Sequence, residues 1–131
     1  MALPAAKEGD SIMATDTHIV QIPSPGGPIP TPLPHPFTGK IDGELSSDVF
    51  FNGKAAATVD STATNQPAHI PQGGAFQSQP ADKGTITMGS SSVFVNGKAV
   101  ARMGDTAETC NDPSDMPVGT VIASGTVFVG G

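Results

Sequence analysis

The sequence predicts a small, mainly β domain built from three related hairpin units. Asn96-Gly97 stands between two short apolar runs, Val93-Phe94-Val95 and Ala99-Val100-Ala101. That is the composition of a two-residue type I′ hairpin, which needs positive φ at both central positions. The same phrase occurs 44 residues earlier, where Asp48–Ala63 (DVFFNGKAAATVDSTA) parallels Ser92–Ala107 (SVFVNGKAVARMGDTA). A truncated third copy closes the chain, Gly119-Thr120-Val121-Ile122 followed by Thr126-Val127-Phe128-Val129-Gly130-Gly131. No stretch keeps the i, i+3, i+4, i+7 apolar spacing of an amphipathic helix over a useful length. A repeated unit too small to bury a core alone packs against its copies, so three copies predict a three-fold body within one chain.

Each element follows from local composition. Gly9-Asp10 opens two short extended pieces, Ser11–Ala14 and Thr17–Val20, with a turn expected at Thr15-Asp16. Seven prolines fall between Ile22 and Pro36. Because each removes a donor and fixes φ, a Pro-rich loop is expected over about 22–38, outside any regular sheet. Lys40–Leu45 leads into the first hairpin, and the type I′ register sets Phe94 opposite Ala99 and Val95 opposite Lys98. Thr64–Pro71 reads as a turn-rich link and Gln72–Lys83 as a surface loop. Gly84–Met88 starts the second unit, with Ile86 and Met88 alternating onto one face. Asn111–Pro117 is a turn before the third. The chain is expected to be one domain over 1–131, with repeat units at about 39–63, 84–107 and 119–131.

Composition narrows the possible functions. Leu, Ile, Val and Phe make up 27 residues, 21% of the chain, close to the roughly 20% below which charged chains tend toward disorder. So thin a core calls for a staple, a metal or a partner. Twelve acidic side chains face six basic ones with no basic cluster, which argues against nucleic-acid binding. A single cysteine forms no intrachain disulfide. The first ten residues carry Lys7, Glu8 and Asp10 where a signal peptide needs an apolar run, and no stretch approaches a membrane span. The chain is therefore expected to be made in the cytoplasm and, if it acts outside, to be carried there without a cleaved signal.

One set of side chains carries chemistry. His18, His35, His69 and Cys110 could together fill a four-coordinate zinc site, and each lies in a connecting segment or at the edge of a strand unit. Spacings of 17, 34 and 41 residues are not those of a zinc finger, and a lone cysteine is more often a small buried hydrophobe. A domain short of apolar core nevertheless has reason to use a metal, because its binding free energy becomes folding free energy. In the hairpins Val49, Phe51, Val93, Val95, Val127 and Val129 share one parity, and Phe50, Phe94 and Phe128 the other. The first set is the expected docking face for a partner, although parity alone does not decide which face is outward. A zinc hydrolase is the enzymatic alternative, with Asp105 or Glu108 as general base, but a thiolate in the fourth position closes the site. A metal-free adhesin or carrier module is the third reading.

The repeats SSDVFFNGKAAATVD and GSSSVFVNGKAVARMGD, Gly9-Asp10 followed by His18, and Gly104-Asp105 followed by Cys110 resemble PAAR-repeat proteins over nearly the whole chain. The name motif Pro-Ala-Ala-Arg falls on Ala99-Val100-Ala101-Arg102 and on Ala55-Ala56-Ala57-Thr58, with the proline replaced in both. The resemblance implies a small pseudo-three-fold β cone whose vertex holds one zinc ion through His18, His35, His69 and Cys110, with iron a candidate for the same ligands. It also implies a non-enzymatic tip, one chain per trimeric VgrG-like spike of a contractile injection system, either type VI secretion or an extracellular or phage-tail-like particle. Such a tip is assembled into the particle, leaves the cell on firing and touches the target membrane transiently.

Overall fold

In the computed structural model, which describes residues 2–131, the chain forms thirteen strands and, among the described residues, no helix. They are β1 (Leu3–Pro4), β2 (Ser11–Ile22), β3 (Ile29–Gly43), β4 (Phe50–Phe51), β5 (Lys54–Ala55), β6 (Thr62–Asn65), β7 (Ala75–Phe76), β8 (Lys83–Ile86), β9 (Phe94–Val95), β10 (Lys98–Ala99), β11 (Thr106–Thr109), β12 (Met116–Ile122) and β13 (Phe128–Val129). Six of them close on themselves. β12, β11, β8, β6, β3 and β2 are neighbours in that order, all antiparallel, and β12 returns to β2 through Thr120 opposite Met13 and Val121 opposite Ile12. Closure satisfies strand edges that would otherwise be open to other chains.

Three small hairpins sit at one end of this barrel. β4–β5 and β9–β10 turn through Asn52-Gly53 and Asn96-Gly97, whose φ values of 51° and 78°, and 53° and 80°, are those a type I′ turn requires. The third hairpin joins the two ends of the chain. β13 pairs with β1, Leu3 opposite Val129 and Pro4 opposite Phe128, as Ala99 lies opposite Phe94 and Ala55 opposite Phe50. Leu3–Asp10 thus stands where Lys54–Ser61 and Lys98–Asp105 stand in the other units. The same turn follows each: Lys7 N–H donates to Asp10 Oδ2 (3.1 Å), Thr58 N–H to Ser61 Oγ (2.9 Å) and Arg102 N–H to Asp105 Oδ2 (2.7 Å).

The pseudo-axis is lined by small residues because three backbones converge on it. Ala6 N–H donates to Ala101 O (2.8 Å), Ala101 N–H to Ala57 O (3.0 Å) and Ala57 N–H to Ala6 O (3.1 Å), a closed ring of fully buried alanines. On the hairpin side Ala5, Ala56, Val95, Val100 and Val129 form a small core; on the barrel side Ile12, Phe37, Ile41, Ile86 and Val121 form the larger one. Ile41, Ile86 and Val121 are three-fold equivalents, their amides donating to Asp10 O, Ser61 O and Asp105 O at 2.8–2.9 Å. Two residues before each stands a glycine, Gly39, Gly84 or Gly119. A methyl at Gly39 would lie 2.8 Å from the Phe37 ring, at Gly84 3.3 Å from it, and at Gly119 3.0 Å from Ala107 O. The Phe37 ring has room because Gly39 and Gly84 carry no side chain, while Gly119 lets β12 lie close against Ala107 and Ile12.

Hairpin tips latch onto the neighbouring unit. Asn52 Nδ2 donates to Thr126 Oγ1 (2.6 Å), Asn96 Nδ2 to Asp48 Oδ2 (2.7 Å), and Gly130 O accepts from Ser90 Oγ (2.7 Å). Each asparagine therefore serves both its own turn and the contact between units.

Several expectations are corrected. The expected Pro-rich loop over 22–38 is largely strand: β3 pairs with β2 from Ile29 opposite Ile22 to Lys40 opposite Ser11. Pro30, Pro32, Pro34 and Pro36 fall at every second residue, so their missing donors all lie on one edge. That edge faces away from β2, because Thr17 and Ile19, opposite Pro34 and Pro32, turn their amides outward to Asn111 Oδ1 (2.6 Å) and Asp112 Oδ2 (2.8 Å). β2 is one continuous strand, and Thr15-Asp16 is not a turn. Met88 is exposed while Ile86 is buried; the amides of Thr87 and Met88 both reach Thr106 O (3.0 and 3.3 Å), and this bulge breaks the alternation. The segment 72–83 contains β7, which pairs Phe76 with Val20. Among the expected docking residues Val95 and Val129 lie in the hairpin core, with Val49, Phe51 and Val127 packed against it. Val93 is 37% exposed, whereas the opposite parity, Phe50, Phe94 and Phe128, is 56, 59 and 57% exposed.

Candidate metal centre

Strand alternation assembles a polar cluster at the end of the barrel away from the hairpins. Along β2 the inward positions are Ile12, Ala14, Asp16, His18 and Val20; along β3 they are Leu33, His35, Phe37, Gly39 and Ile41. The register sets His35 opposite Asp16 and Leu33 opposite His18. Cys110 follows β11, and His69 comes from the link after β6. The structure thus brings His18, His35, His69 and Cys110 together, each 8% exposed or less. The His18 ring centroid is 4.9 Å from that of His69 and 5.5 Å from that of His35, and His35 and His69 are 5.5 Å apart. Phe37 underlies His69 at 6.1 Å, and Phe76 lies against His18 and His35 at 5.8 and 5.4 Å, so aromatic rings bound the cluster on both sides.

Outer partners orient the imidazoles. His35 Nδ1 lies 2.9 Å from Leu33 O, which makes Nδ1 the donor and leaves Nε2 as a lone pair; that Nε2 is buried and has no partner among the described residues. His18 Nε2 is 3.6 Å from Cys110 Sγ, and its Nδ1, also unpartnered, is 3.6 Å from Asp112 Oδ2. His69 Nδ1 is 3.3 Å from Asn65 Nδ2, an amide donor. An imidazole held at one nitrogen with the other turned inward is the usual arrangement of a metal-binding histidine. Burial, and then the neighbouring His69, lower the pKa of His18, favouring the neutral ring. Burial and then Asp16 push the Cys110 thiol up to about 12. A bound cation opposes both effects on the thiol, since a coordinating thiol is deprotonated outright.

A fifth residue belongs to the cluster. Asp16 is fully buried; its Oδ2 accepts from His69 Nε2 (2.8 Å) and lies 3.5 Å from Cys110 Sγ, while Oδ1 accepts from Thr109 Oγ1. Asp16, His18, His69 and Cys110 offer ligand atoms that all lie within 4.8 Å of one another. The group has the composition and burial to hold a metal ion, and beside it the buried Nε2 of His35 is without a partner among the described residues. Asp16 shares parity with His18 two residues on, and that parity, not the turn composition of Thr15-Asp16, is the signal that places it inside. Neither acid considered as a general base is at the site. Glu108 is exposed on β11, and Asp105 is bound to Arg102 (Oδ1 to Nη2 2.9 Å) in the turn before that strand, which raises the Arg102 pKa.

A closed antiparallel barrel of three pseudo-equivalent units, with hairpins at one end and at the other a buried His/Cys/Asp cluster that could hold a metal ion, defines a small three-fold β domain. The PAAR motif family model matches residues 21–110 and again 77–131, and the chain belongs to that family. PAAR proteins are structural spike-tip proteins of contractile injection systems, and a spike-tip-like role of that general kind follows for this chain. No curated protein matches the sequence.

Proposed function

We propose that this chain caps a trimeric VgrG-like spike, one chain per trimer, and that a zinc ion staples its far end. The observation carrying this reading is the triad Phe50, Phe94 and Phe128. Three large apolar side chains, each more than half exposed, stand at equivalent places in three hairpins around one pseudo-axis. Exposed aromatics suit a docking surface, and a three-fold set on one chain suits a three-fold partner. The candidate metal cluster lies at the opposite end, where an ion would tie the strands β2 and β3 to the segments that follow β6 and β11. Zinc bound there supplies only ligation. His18, His35, His69 and Cys110 are the side chains that would hold it, with Asp16 hydrogen-bonded beside them to His69 and with Phe37 and Phe76 packed against the imidazoles.

In this reading the tip is not an enzyme, the particle carries it out of the producing cell, and its contact with the target membrane is transient. Among the described residues no helix is long and apolar enough to cross a membrane. The test is to mix the purified chain with its trimeric spike and measure the mass of the complex by light scattering. One chain per trimer is expected; no complex, or three chains per trimer, contradicts the cap.

A further inference from the structure

We propose that the first hairpin unit carries a seat for a basic side chain that the chain itself does not fill, and that its occupant is a lysine or arginine of the spike. This rests on the reading that the chain caps a trimeric spike. It adds a polar contact that picks one of the three rotational settings of the cap.

The other two units define the seat. Lys7, Thr58 and Arg102 are three-fold equivalents, each making a single bridge to another unit: Lys7 to Ala56, Thr58 to Val100 and Arg102 to Ala5. Lys7 Nζ lies 3.2 Å from both carboxylate oxygens of Asp10 and donates to Ser124 O. A methyl on Gly125 would fall 3.3 Å from that Nζ and 2.7 Å from Asn52 Oδ1, so the ammonium sits beside the tip of the neighbouring hairpin. Arg102 Nε and Nη2 donate to Asp105 at 3.1 and 2.9 Å, and Nη2 reaches Gly89 O at 3.4 Å. The first unit has Thr58 in place of the cation and Ser61 in place of the acid. Ser61 Oγ serves only backbone, accepting from Thr58 N–H (2.9 Å) and donating to Glu44 O (2.8 Å). The short side chains leave a cavity of about 120 Å³, lined by Glu44, Ser46, Thr58, Val95, Asn96 and Lys98. Asn96 stands there as Asn52 stands beside Lys7. Ser46 matches Ser124, each three residues before a valine, Val49 or Val127, whose carbonyl accepts from Ala56 or Ala5.

Charge favours a cation in this cavity. The Glu44 carboxylate is exposed on its rim and, among the described residues, pairs with no lysine or arginine, whereas Lys98 is held by Asp60 (3.5 Å). Lys54, the counterpart of Lys98, has the same place in the unit whose seat Lys7 fills, so an amine there does not exclude a second. Carbonyl and carboxylate oxygens around an ammonium or guanidinium form charge-assisted bonds. Val95 and Asn96 lead on from Phe94, so the cavity borders the exposed phenylalanine triad. A trimeric spike carries three copies of any basic side chain and this chain offers one open seat, so the contact fixes which subunit faces the first unit.

The test measures the affinity of the full chain for its trimeric spike by calorimetry. Thr58→Lys fills the seat from within and is expected to keep or raise Tm while weakening spike binding at least about tenfold. Ser47→Lys adds the same charge at an exposed position outside the cavity and is expected to bind as wild type. Unchanged affinity of the folded Thr58→Lys chain, or an equal loss in both variants, overturns the seat and leaves the cap standing. No complex with the wild-type chain overturns the cap and this occupant with it. The seat is also read on the wild-type chain alone, ¹⁵N-labelled and titrated with n-butylammonium chloride at constant ionic strength. Saturable shifts at the amides of Ser46, Thr58 and Asn96 are expected. Shifts spread over the whole surface, or none, overturn the seat even if Thr58→Lys fails to fold.

Discussion

Pro4 lies directly opposite Phe128, so the first and last strands of the chain form a single hairpin. The third unit is therefore split between the two ends, and the three-fold closes only when they meet. Pro4-Ala5-Ala6-Lys7 falls on the positions of Ala99-Val100-Ala101-Arg102. It supplies the motif proline that both internal copies have replaced.

The glycines around the axis hold the first prediction. Gly119→Ala places a methyl 3.0 Å from Ala107 O and from the Thr109 side chain. Backbone cannot yield as a side-chain tip does, so the substitution is expected to cost about 1–3 kcal/mol. A lower urea midpoint with an unchanged slope is the expected signature.

The proline parity in β3 gives a second prediction. Pro34→Ala restores an amide on the edge facing away from β2 and is expected to be nearly neutral. Thr31→Pro removes the amide facing Val20 and is expected to cost about 1–3 kcal/mol, the penalty of leaving the Val20 carbonyl without its partner. Thermal melting of the two variants side by side checks the parity; equal losses contradict it.

Asn96 joins turn and latch. Asn96→Gly keeps a backbone suited to φ 53° but loses the bonds with Ser46 and Asp48, whereas Asn96→Ala loses both advantages. The alanine variant is expected to be the less stable of the two, by about 1 kcal/mol. Chemical denaturation measures the difference.

How far the sequence revealed this structure depended on which signal a residue carried. The two Asn-Gly hairpins were legible to the register, because two-residue turns leave no freedom in pairing. The four metal-capable side chains were legible as an inventory, and the structure brings them together. Three features were obscured by local rules applied without their tertiary setting. Proline is a poor strand residue in general, yet tolerable at alternate positions on an unpaired edge. Asp16 has turn composition, yet its parity with His18 sends it inward. The docking parity was undecided because a valine and a phenylalanine are equally apolar. Only the packing around Val95 and Val129 turns the phenylalanines outward.

Metal removal tests the staple. Zinc at one ion per chain is expected, and chelation or Cys110→Ala should remove several kcal/mol of stability, lowering Tm by roughly 10 °C or more. Metal analysis with calorimetry before and after chelation checks this. Unchanged metal content and Tm in Cys110→Ala contradict it.

The cap itself is tested most directly by measuring the affinity of the chain for its trimeric spike before and after replacing Phe50, Phe94 and Phe128 with aspartate. The three side chains are largely exposed, so the variant is expected to fold with wild-type Tm and zinc content. Its dissociation constant should rise at least about 100-fold. Unchanged affinity in the folded variant would show that the phenylalanine face is not the docking surface and would contradict the account.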